Sequence, residues 1–522
     1  MSRLLLPLFS LSALFALSGC LPEKDAPSTD DGEDTGPIDN PDDTDADTDA
    51  DSDTDTDSDT DADTDTDTDA DTDSDTDTDT DPREDNDRDG YTVREGDCDD
   101  DDSEINPGAD EICDEIDNDC DRDIDEDPVD GDEYPSDNDG DGFGDLTHTV
   151  VACEPVVENT FDCDDDDATE PVVVDQYNGS ASGRGTLDDP FETIQDGIDA
   201  SDLCVAVYPG NYQETIDFGG KDLEVFSTSG VKNTIIDGNG GGSVVTFDSG
   251  ESPAAELRGF TITAGTGTIE TSSSSSSCGS AETCVTNYTR FYGGGIFVDG
   301  ANPTLRNLLV MGNTLAEYSY TEVDENTDAY VYSYGGGVFI NNSRGMTLID
   351  VGFAVNYADQ GGALYVGDSA EVAVTQSRVS YNSAAGGAGF NVGGGALTVT
   401  NVIFSGNAAS TGGGASYVDD GTLTWWNVSA AGNAGTSGSG VAVMGASDFQ
   451  FYSSVIALNN GGAGVYLESS SSHLDAQYSN AYSNDGGNYT GVTAPTGSSG
   501  NVEVDPGFVD FTDDGTENDD FT

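Results

Sequence analysis

The amino-acid sequence predicts an all-β protein whose largest part is a right-handed, single-stranded parallel β-helix. The first observation is an asparagine that recurs after one interval of 43 residues and then every 25 or 26 residues. The second is a glycine that lies 18 to 20 residues before each asparagine. The asparagines are Asn313, Asn356, Asn382, Asn407, Asn433, Asn459 and Asn484, and the glycines are Gly295, Gly337, Gly362, Gly387, Gly414, Gly440 and Gly464. A fixed period of this length indicates a solenoid in which each repeat forms one coil.

A third column of residues lies six positions before most of these asparagines. Its members are Asn307, Asp350, Gln376, Asn401, Asn427 and Ser453. We expect the asparagines and glycines to take the unusual backbone angles of the turns. A column of asparagines could bind a ligand, but we favour the interpretation in which stacked asparagines hydrogen-bond one another. The interval of 43 residues is one coil plus a tyrosine-rich insertion, Leu315 to Tyr334.

The charge of the chain restricts its partners. The 522 residues contain 106 Asp and Glu against 14 Lys and Arg, for a formal net charge of −92. Such a surface repels nucleic acid and anionic lipid and attracts cations. We therefore expect no nucleic-acid partner.

The N-terminus has the features of an exported protein. Arg3 precedes an apolar stretch, Leu4 to Leu17, that is too short to remain across a bilayer. Residues 17–20 read Leu-Ser-Gly-Cys and resemble the lipobox of bacterial lipoproteins. The resemblance implies a signal peptide at 1–19 and a lipid on Cys20. With Leu21 next, it also implies attachment to the outer membrane or cell surface of a Gram-negative bacterium. The alternative is an ordinary signal peptide with a chance cysteine.

Residues 20–82 are predicted to form a lipidated, disordered linker. From Asp43 to Asp81 the chain alternates Asp with Thr, Ala or Ser, so neither face of a strand would be apolar. Like charges keep such a segment extended and unable to bury a core. The linker would be a spacer between the membrane and the folded part, a weak calcium reservoir, or both.

The cysteines indicate an oxidising compartment. Cys20 is assigned to the lipid, and the eight others are expected to form disulfides. We predict that Cys278 pairs with Cys284 and that Cys153 pairs with Cys163. Cys204 lies in an apolar run and is better interpreted as a buried free thiol. The pairing of the other cysteines, Cys98, Cys113 and Cys120, stays open.

Residues 83–171 carry alternating acids that predict structural calcium sites. Asp85, Asp87 and Asp89 occupy positions 1, 3 and 5 of an EF-hand-type loop, with glycine at position 6. Position 12 is Gly96, and Asp97 could replace the usual glutamate there. The other candidate ligands are Asp117, Asp119 and Asp121 in a middle run, and Asp137, Asp139, Asp141 and Asp145 in a last loop. The alternative is a generic solvated acidic stretch.

The same segment resembles the acidic metal-binding repeat of bacterial surface proteins over about residues 85–170. The resemblance rests on Asp97-Cys98-Asp99-Asp100, on Glu111-Ile112-Cys113-Asp114 and on residues 117–121. The family pattern has glycine where this chain has Glu115 and Arg122. Copper is rejected because it prefers imidazole and sulfur, and zinc because the cysteines lack paired ligand spacing.

Residues 172–522 are assigned to the β-helix. Asp189-Pro190-Phe191 and residues 205–212 resemble the opening of pectin-lyase-like β-helix proteins, with a short amphipathic helix at about 190–200 over the first coil. Gly361-Gly362-Ala363 and Phe353-Ala354-Val355-Asn356 resemble the polymorphic outer-membrane protein repeats of bacterial adhesins, over about residues 290–485.

For function, the sequence favours a non-catalytic surface protein that binds glycans or other cells through the β-helix and the insertion Tyr318–Tyr334. The alternatives are a polysaccharide lyase or hydrolase and a purely structural coat component. Of the polygalacturonase motifs only Asp419-Asp420 is present. Three arginines, Arg306, Arg344 and Arg378, do not line up with acidic clusters in the sequence. We therefore lean towards a protein without catalysis.

Overall fold

The computed structural model describes residues 83–139, 143–157, 162–163, 170–278, 283–324 and 326–508, without the side chains of 145–147. These residues belong to the second of two compact units, Thr80–Thr522. The predicted signal peptide, Cys20 and the acidic linker lie outside the described residues, as does Asp141. Within the described part of the chain, no helix is long and apolar enough to cross a membrane.

The acidic segment contains little regular structure. Its described residues form a 3-10 helix, Val93–Glu95, and an antiparallel hairpin of β1 (Asp132–Ser136) and β2 (Asp145–Ala152). Most of its loops turn on an aspartate that accepts a hydrogen bond from a backbone N–H two residues ahead, as Asp87 does from Asp89 and Asp97 from Asp99. A segment so poor in apolar side chains buries little core of its own, and two disulfides, Cys98–Cys120 and Cys113–Cys153, join its loops.

The β-helix follows and confirms the predicted fold class. One short α-helix, α1 (Ile194–Ala200), begins after Thr193, whose hydroxyl caps the Asp196 N–H, and buries Ile194 and Ile198 on the first coils. It lies where the sequence predicts the covering helix. The first strands are β3 (Val172–Val174), β4 (Cys204–Val207), β5 (Gly210–Tyr212), β6 (Ile216–Asp217), β7 (Glu224–Ser227), β8 (Thr234–Asp237), β9 (Val245–Phe247), β10 (Glu256–Arg258), β11 (Thr261–Thr263), β12 (Thr268–Ser277), β13 (Thr283–Tyr292), β14 (Ile296–Asp299), β15 (Thr304–Met311), β16 (Ser319–Asp324), β17 (Thr327–Tyr334), β18 (Val338–Asn341) and β19 (Arg344–Ala354).

The later strands repeat the same pattern at the interval of one coil. They are β20 (Tyr357–Gln360), β21 (Leu364–Val366), β22 (Glu371–Thr375), β23 (Arg378–Ser380), β24 (Ser383–Gly386), β25 (Phe390–Gly393), β26 (Ala396–Thr400), β27 (Ile403–Ser405), β28 (Ala408–Ala409), β29 (Ser416–Asp419), β30 (Thr422–Trp426), β31 (Ser429–Ala431), β32 (Ala434–Met444), β33 (Asp448–Tyr452), β34 (Val455–Ala457), β35 (Asn460–Leu467), β36 (His473–Gln477), β37 (Asn480–Tyr482) and β38 (Tyr489–Thr490).

Two long parallel sheets run through the coils. The first has 19 strands in two rows, for example β22, β26, β30 and β33 in one row and β23, β27, β31 and β34 in the other. The second has 17 strands, including the row β14, β18, β21, β25 and β29. Apolar side chains stack inside, and one chain of ring contacts runs from Phe353 through Phe390 and Phe404 to Trp425.

The third column of the sequence forms the bend between the two rows of the first sheet. All six of its residues take left-handed backbone angles, with φ from +46° at Asn307 to +57° at Asn401. A single residue in this conformation turns the chain sharply, and Asn and Asp adopt it at lower energy than most side chains.

The asparagine column hydrogen-bonds along the coils, as favoured from the sequence. The side-chain amide of each asparagine donates to Oδ1 of the next, at 2.9–3.0 Å from Asn313 to Asn484. The expectation that these asparagines take turn angles was wrong. The residue before each of them is left-handed, for example Val355 at φ +57° and Tyr381 at +56°, which aims the asparagine inwards.

The glycine column has two physical causes. Gly387 is left-handed at φ +63°, and in earlier coils this angle belongs to a neighbouring glycine such as Gly335 or Gly361. Gly337 is required for close approach, since a Cβ there would lie 2.5 Å from the carbonyl oxygen of Ala363 in the next coil.

Two hairpins project between coils. The predicted insertion forms the antiparallel pair β16–β17, and a serine-rich pair, β12–β13, lies beside it with β13 parallel to β17. A disulfide joins Cys278 to Cys284 at the end of the serine-rich β12–β13 hairpin, as predicted.

The prediction that Cys153 pairs with Cys163 was wrong, and so was the interpretation of Cys204 as a free thiol. Cys153 pairs with Cys113, and Cys163 pairs with Cys204 at the start of β4. The fourth disulfide joins Cys98 to Cys120. The physical reason is that Cys163 lies against the buried Cys204, Ala206 and Phe226 of the first coils, so its nearest thiol is on the β-helix.

Candidate metal centre and aromatic cleft

The first predicted loop brings three carboxylates together. Asp85, Asp87 and Asp89 each offer an oxygen, and these oxygens lie within 4.8 Å of one another. The loop closes because Asp85 accepts hydrogen bonds from the backbone N–H of Arg88 at 2.6 Å and of Gly90 at 3.3 Å. Gly90 has φ +106°, a conformation that suits glycine and confirms its predicted role in the sharp turn.

Asp97 and Asp100 join the same region. Both are buried, and the backbone N–H of Asn86 donates to Asp100 at 3.4 Å. Burial raises the pKa of the Asp97 carboxyl, and the nearby carboxylates of Asp89, Asp87 and Asp100 raise it further. Asp97 therefore lies where the sequence placed it, while Asp100 was missed because it falls outside the alternating pattern.

Four of these carboxylates have one oxygen that accepts no hydrogen bond from a described residue. Buried Oδ2 atoms with no partner among the described residues belong to Asp87, Asp89, Asp97 and Asp100. Burying unpaired carboxylates is costly, and like charges so close together repel one another. A bound cation removes both penalties, so these residues fit a metal ion.

The middle run forms a second cluster around Asp119. Its ligand atoms converge in two overlapping groups, Glu111 with Asp117 and Asp119, and Asp119 with Asp121 and Glu126. Burial raises the pKa of the Asp119 carboxyl, and the neighbouring Asp121 raises it as well. Glu111 was missed because it lies 6 residues before Asp117, outside the alternating acids, and Glu126 was not named as a ligand because it directly follows Asp125 and so falls out of the alternation.

The middle loop keeps its turns at the two positions where the acidic metal-binding repeat has glycine and this chain does not. Glu115 has φ +66° and Arg122 has φ +91°, so both take left-handed angles that glycine would take more easily. The Arg122 N–H still donates to Asp117 at 3.0 Å. The Cys98–Cys120 disulfide then joins the neighbourhoods of the two clusters, since Cys98 follows Asp97 and Cys120 follows Asp119.

The last loop is only partly described. Asp137 and Asp139 lie after β1, Asp141 is outside the described residues, and the side chain of Asp145 is not described. The candidate ligand atoms of the two described clusters are carboxylate oxygens, and hard cations prefer oxygen ligands.

A row of outward side chains on the second sheet forms an aromatic surface. Phe297, Phe339 and Tyr365 occupy equivalent positions on β14, β18 and β21, and their rings stack with centroids 5.6 Å apart. The row continues with Asn391 on β25 and Tyr417 on β29. Tyr334 at the end of β17 meets Tyr365 edge-on at 5.1 Å.

A cleft of about 370 Å³ lies between this row and the β16–β17 hairpin. Its lining includes Tyr318 and Tyr332 from the hairpin and Tyr365 and Tyr417 from the coils. The insertion that the sequence proposed for binding thus lines the cleft, and the aromatic row beneath it was not predicted.

One buried carboxylate fastens the hairpin to the coil. Asp359 on β20 accepts hydrogen bonds from the backbone N–H groups of Tyr318 at 2.8 Å and Ser333 at 3.0 Å. Its own N–H donates to the Ser333 hydroxyl at 2.9 Å. Burial raises the pKa of the Asp359 carboxyl. The wall of the cleft is therefore held in place at its base.

Asp419 lies on the rim of the cleft, where it is exposed but partly covered by its neighbours. This partial burial, followed by the charges of Asp420 and Glu468, raises the pKa of its carboxyl. The three arginines do not line up with acidic clusters in the sequence, but two of them lie beside acidic side chains in the fold. Arg306 pairs with Glu256 at 2.9 Å, and Arg344 lines a groove with Glu371 and Asp420, because neighbouring coils bring distant residues together.

Two family models match parts of the chain. Residues 336–506 match "Right handed beta helix region", and residues 97–126 match "Putative metal-binding motif". No curated protein matches the chain. The chain therefore contains a right-handed parallel β-helix, preceded by a segment that matches the model of a metal-binding motif.

Two solved structures match the chain at low similarity. A pectin methylesterase from carrot is 11% identical, with a TM-score of 0.28, over 65% of this chain and 89% of that one. A GH136 lacto-N-biosidase from Eubacterium ramulus is 10% identical, with a TM-score of 0.23, over 63% of this chain and 66% of that one. No activity is carried over from either protein.

Proposed function

We propose that this protein is a calcium-stabilised, lipid-anchored surface protein of a Gram-negative bacterium that uses its β-helix for adhesion, without catalysis. The observation that carries the proposal is the aromatic cleft, a concave surface with tyrosines on its floor and wall. Aromatic rings displayed in a cleft are typical of ligand sites. Attachment through Cys20 and the acidic linker would hold this surface away from the outer membrane.

Calcium is the metal that we propose for the two carboxylate clusters. Five carboxylates gather near the first site and five at the second, and flexible all-oxygen sets of this kind suit calcium better than magnesium, which requires stricter geometry. The ion would be structural, because the clusters lie in loops that have few apolar contacts of their own.

The proposal is tested on cells that produce the full-length chain. We expect protease added outside the cells to cleave the protein, and we expect the cells to adhere to glycan-coated plates only in calcium. When Cys20→Ser prevents lipidation, the cells should lose both the cleavable surface protein and the adhesion. Retention of the Cys20→Ser protein on the cell surface would contradict the anchor, and adhesion equal to that of cells without the protein would contradict the function.

A polysaccharide hydrolase is the second candidate. Asp359 and Asp419 line the same cleft and both have raised pKa values, as a general acid requires. Asp359 is already committed to two backbone N–H groups of the hairpin, which favours a structural role for it. Release of reducing ends that is lost in Asp419→Asn would support the hydrolase.

A further inference from the structure

We infer that the aromatic cleft binds an uncharged oligosaccharide. This inference rests on the proposed function, and it names the site and the ligand class. The site consists of Tyr365 and Tyr417 as the floor, Tyr318 and Tyr332 as the hairpin wall, and the amides of Gln360 and Asn391 between them.

The floor offers two separated aromatic rings. Tyr365 and Tyr417 project from the same row of strands, two coils apart, with Asn391 between them. Two coil spacings amount to about 10 Å, a distance that a chain of sugars can bridge and a single sugar cannot. The C–H faces of sugar rings are apolar and pack on aromatic faces, while their hydroxyls remain free for polar groups.

The polar groups between the rings suit hydroxyls. The side-chain amide of Asn391 donates to Oε1 of Gln360 at 2.7 Å and to the carbonyl of Gly386 at 3.2 Å, so its orientation is fixed. No described residue hydrogen-bonds Oδ1 of Asn391 or the amide nitrogen of Gln360. One acceptor and one donor are therefore left beside the rings, as a hydroxyl-bearing ligand needs.

The charges of the cleft decide between classes of saccharide. Asp359 and Asp419 line it, and neither a lysine nor an arginine is among its lining residues. Arg290 lines the adjoining recess, where it is accompanied by Asp368. On a chain with net charge −92, these carboxylates repel uronic-acid or sulfated chains. An uncharged chain meets no such repulsion.

Contacts within the protein preorganise the cleft for a ligand. Asp359 fixes the hairpin base, Tyr318 and Tyr332 pack at 5.3 Å, and Tyr334 packs on Tyr365. A preformed wall lowers the entropy that binding would otherwise lose.

The test is isothermal titration calorimetry on the full chain, made soluble by Cys20→Ser, in calcium at low salt. The probes are xylohexaose, cellohexaose, mannohexaose, N-acetylated chitohexaose and oligogalacturonate. We expect at least one neutral hexasaccharide to bind and oligogalacturonate not to bind. Tyr417→Ala should weaken that binding by about tenfold or more, as truncation of an aromatic anchor does.

The matched control is Tyr466→Ala, because Tyr466 lies in the same outward row, beyond the cleft. The Tyr466→Ala variant should bind the same hexasaccharide with the affinity of the parent. Tyr365→Ala should weaken binding as Tyr417→Ala does, whereas Tyr365→Phe, which keeps the ring and its stack on Phe339, should bind like the parent. Absence of binding by every neutral probe, equal binding of oligogalacturonate, or equal losses in Tyr417→Ala and Tyr466→Ala would overturn the inference. Adhesion of cells that survives Tyr417→Ala and Tyr365→Ala would refute this site while leaving the proposed function intact.

Discussion

Asn407 and Asn433 are consecutive rungs of one hydrogen-bonded column inside the β-helix. The Asn407 amide donates to Oδ1 of Asn433 at 2.9 Å and to the carbonyl of Val379 at 2.8 Å, and both asparagines are fully buried. Oδ1 of Asn407 in turn accepts from the backbone and the side chain of Asn382. Each rung therefore satisfies buried polar groups on two neighbouring coils.

Asn407→Ala is expected to lower the free energy of unfolding by about 3 kcal/mol, because it removes the partners of the buried backbone N–H of Asn382 and of the Val379 carbonyl. Urea denaturation of the soluble chain measures the loss. The control is Asn401→Gly at the exposed bend, where φ is +57° and glycine fits, with an expected loss below about 1 kcal/mol. Equal losses in the two variants would show that the buried asparagine column contributes no more to the free energy of unfolding than an exposed bend residue does.

Asp100→Asn is expected to weaken calcium binding at the first cluster by about tenfold, because affinity depends on the number of charged ligands. Calcium titration by calorimetry measures the change. Asp110→Asn removes an exposed acid outside both clusters and should leave the affinities unaltered. If the Asp100 variant binds calcium like the parent, Asp100 is not a ligand.

Mass spectrometry of unreduced peptides is expected to find the pairs Cys98–Cys120, Cys113–Cys153, Cys163–Cys204 and Cys278–Cys284. A peptide that joins Cys153 to Cys163 would contradict this connectivity. Loss of the Cys163–Cys204 bond in Cys204→Ser should leave the other three pairs in place.

Asp359 predicts a pH dependence of stability. Its pKa is raised in the fold, so the folded state holds the proton more tightly than the unfolded chain does. The stability from this group is present below the unfolded pKa of about 3.9 and declines as pH rises through the folded value. The melting temperature of the parent minus that of Asp359→Asn should therefore fall as pH rises over that window. A difference that stays constant or grows would contradict the assignment.

The periodic part of the fold could be predicted because each coil repeats the same local requirement. Asn401 and Gln376 were recognised as members of one recurring column because that position returns every 25 or 26 residues, and the structure places the column at the bend. Contacts between distant residues were harder to predict. Cys204 was placed inside an apolar strand, but nothing local shows that Cys163 lies against it.

The candidate metal ligands divide in the same way. Asp85, Asp87 and Asp89 follow a spacing that chemistry imposes on one loop, whereas Asp100, Glu111 and Glu126 reach their clusters through the path of the chain between loops. The aromatic row of Phe297, Phe339, Tyr365 and Tyr417 became evident only when the register of the coils was known.

The most direct test of the proposed function is one incubation of the soluble full chain with neutral and acidic polysaccharides, in calcium and in EDTA. Both bound protein and released reducing or unsaturated ends are measured. The proposal predicts binding to a neutral polysaccharide, loss of that binding in EDTA, and no product above a heat-inactivated control. Released ends would establish an enzyme, and binding to no polysaccharide in calcium would favour a structural coat component; either result would contradict the proposal.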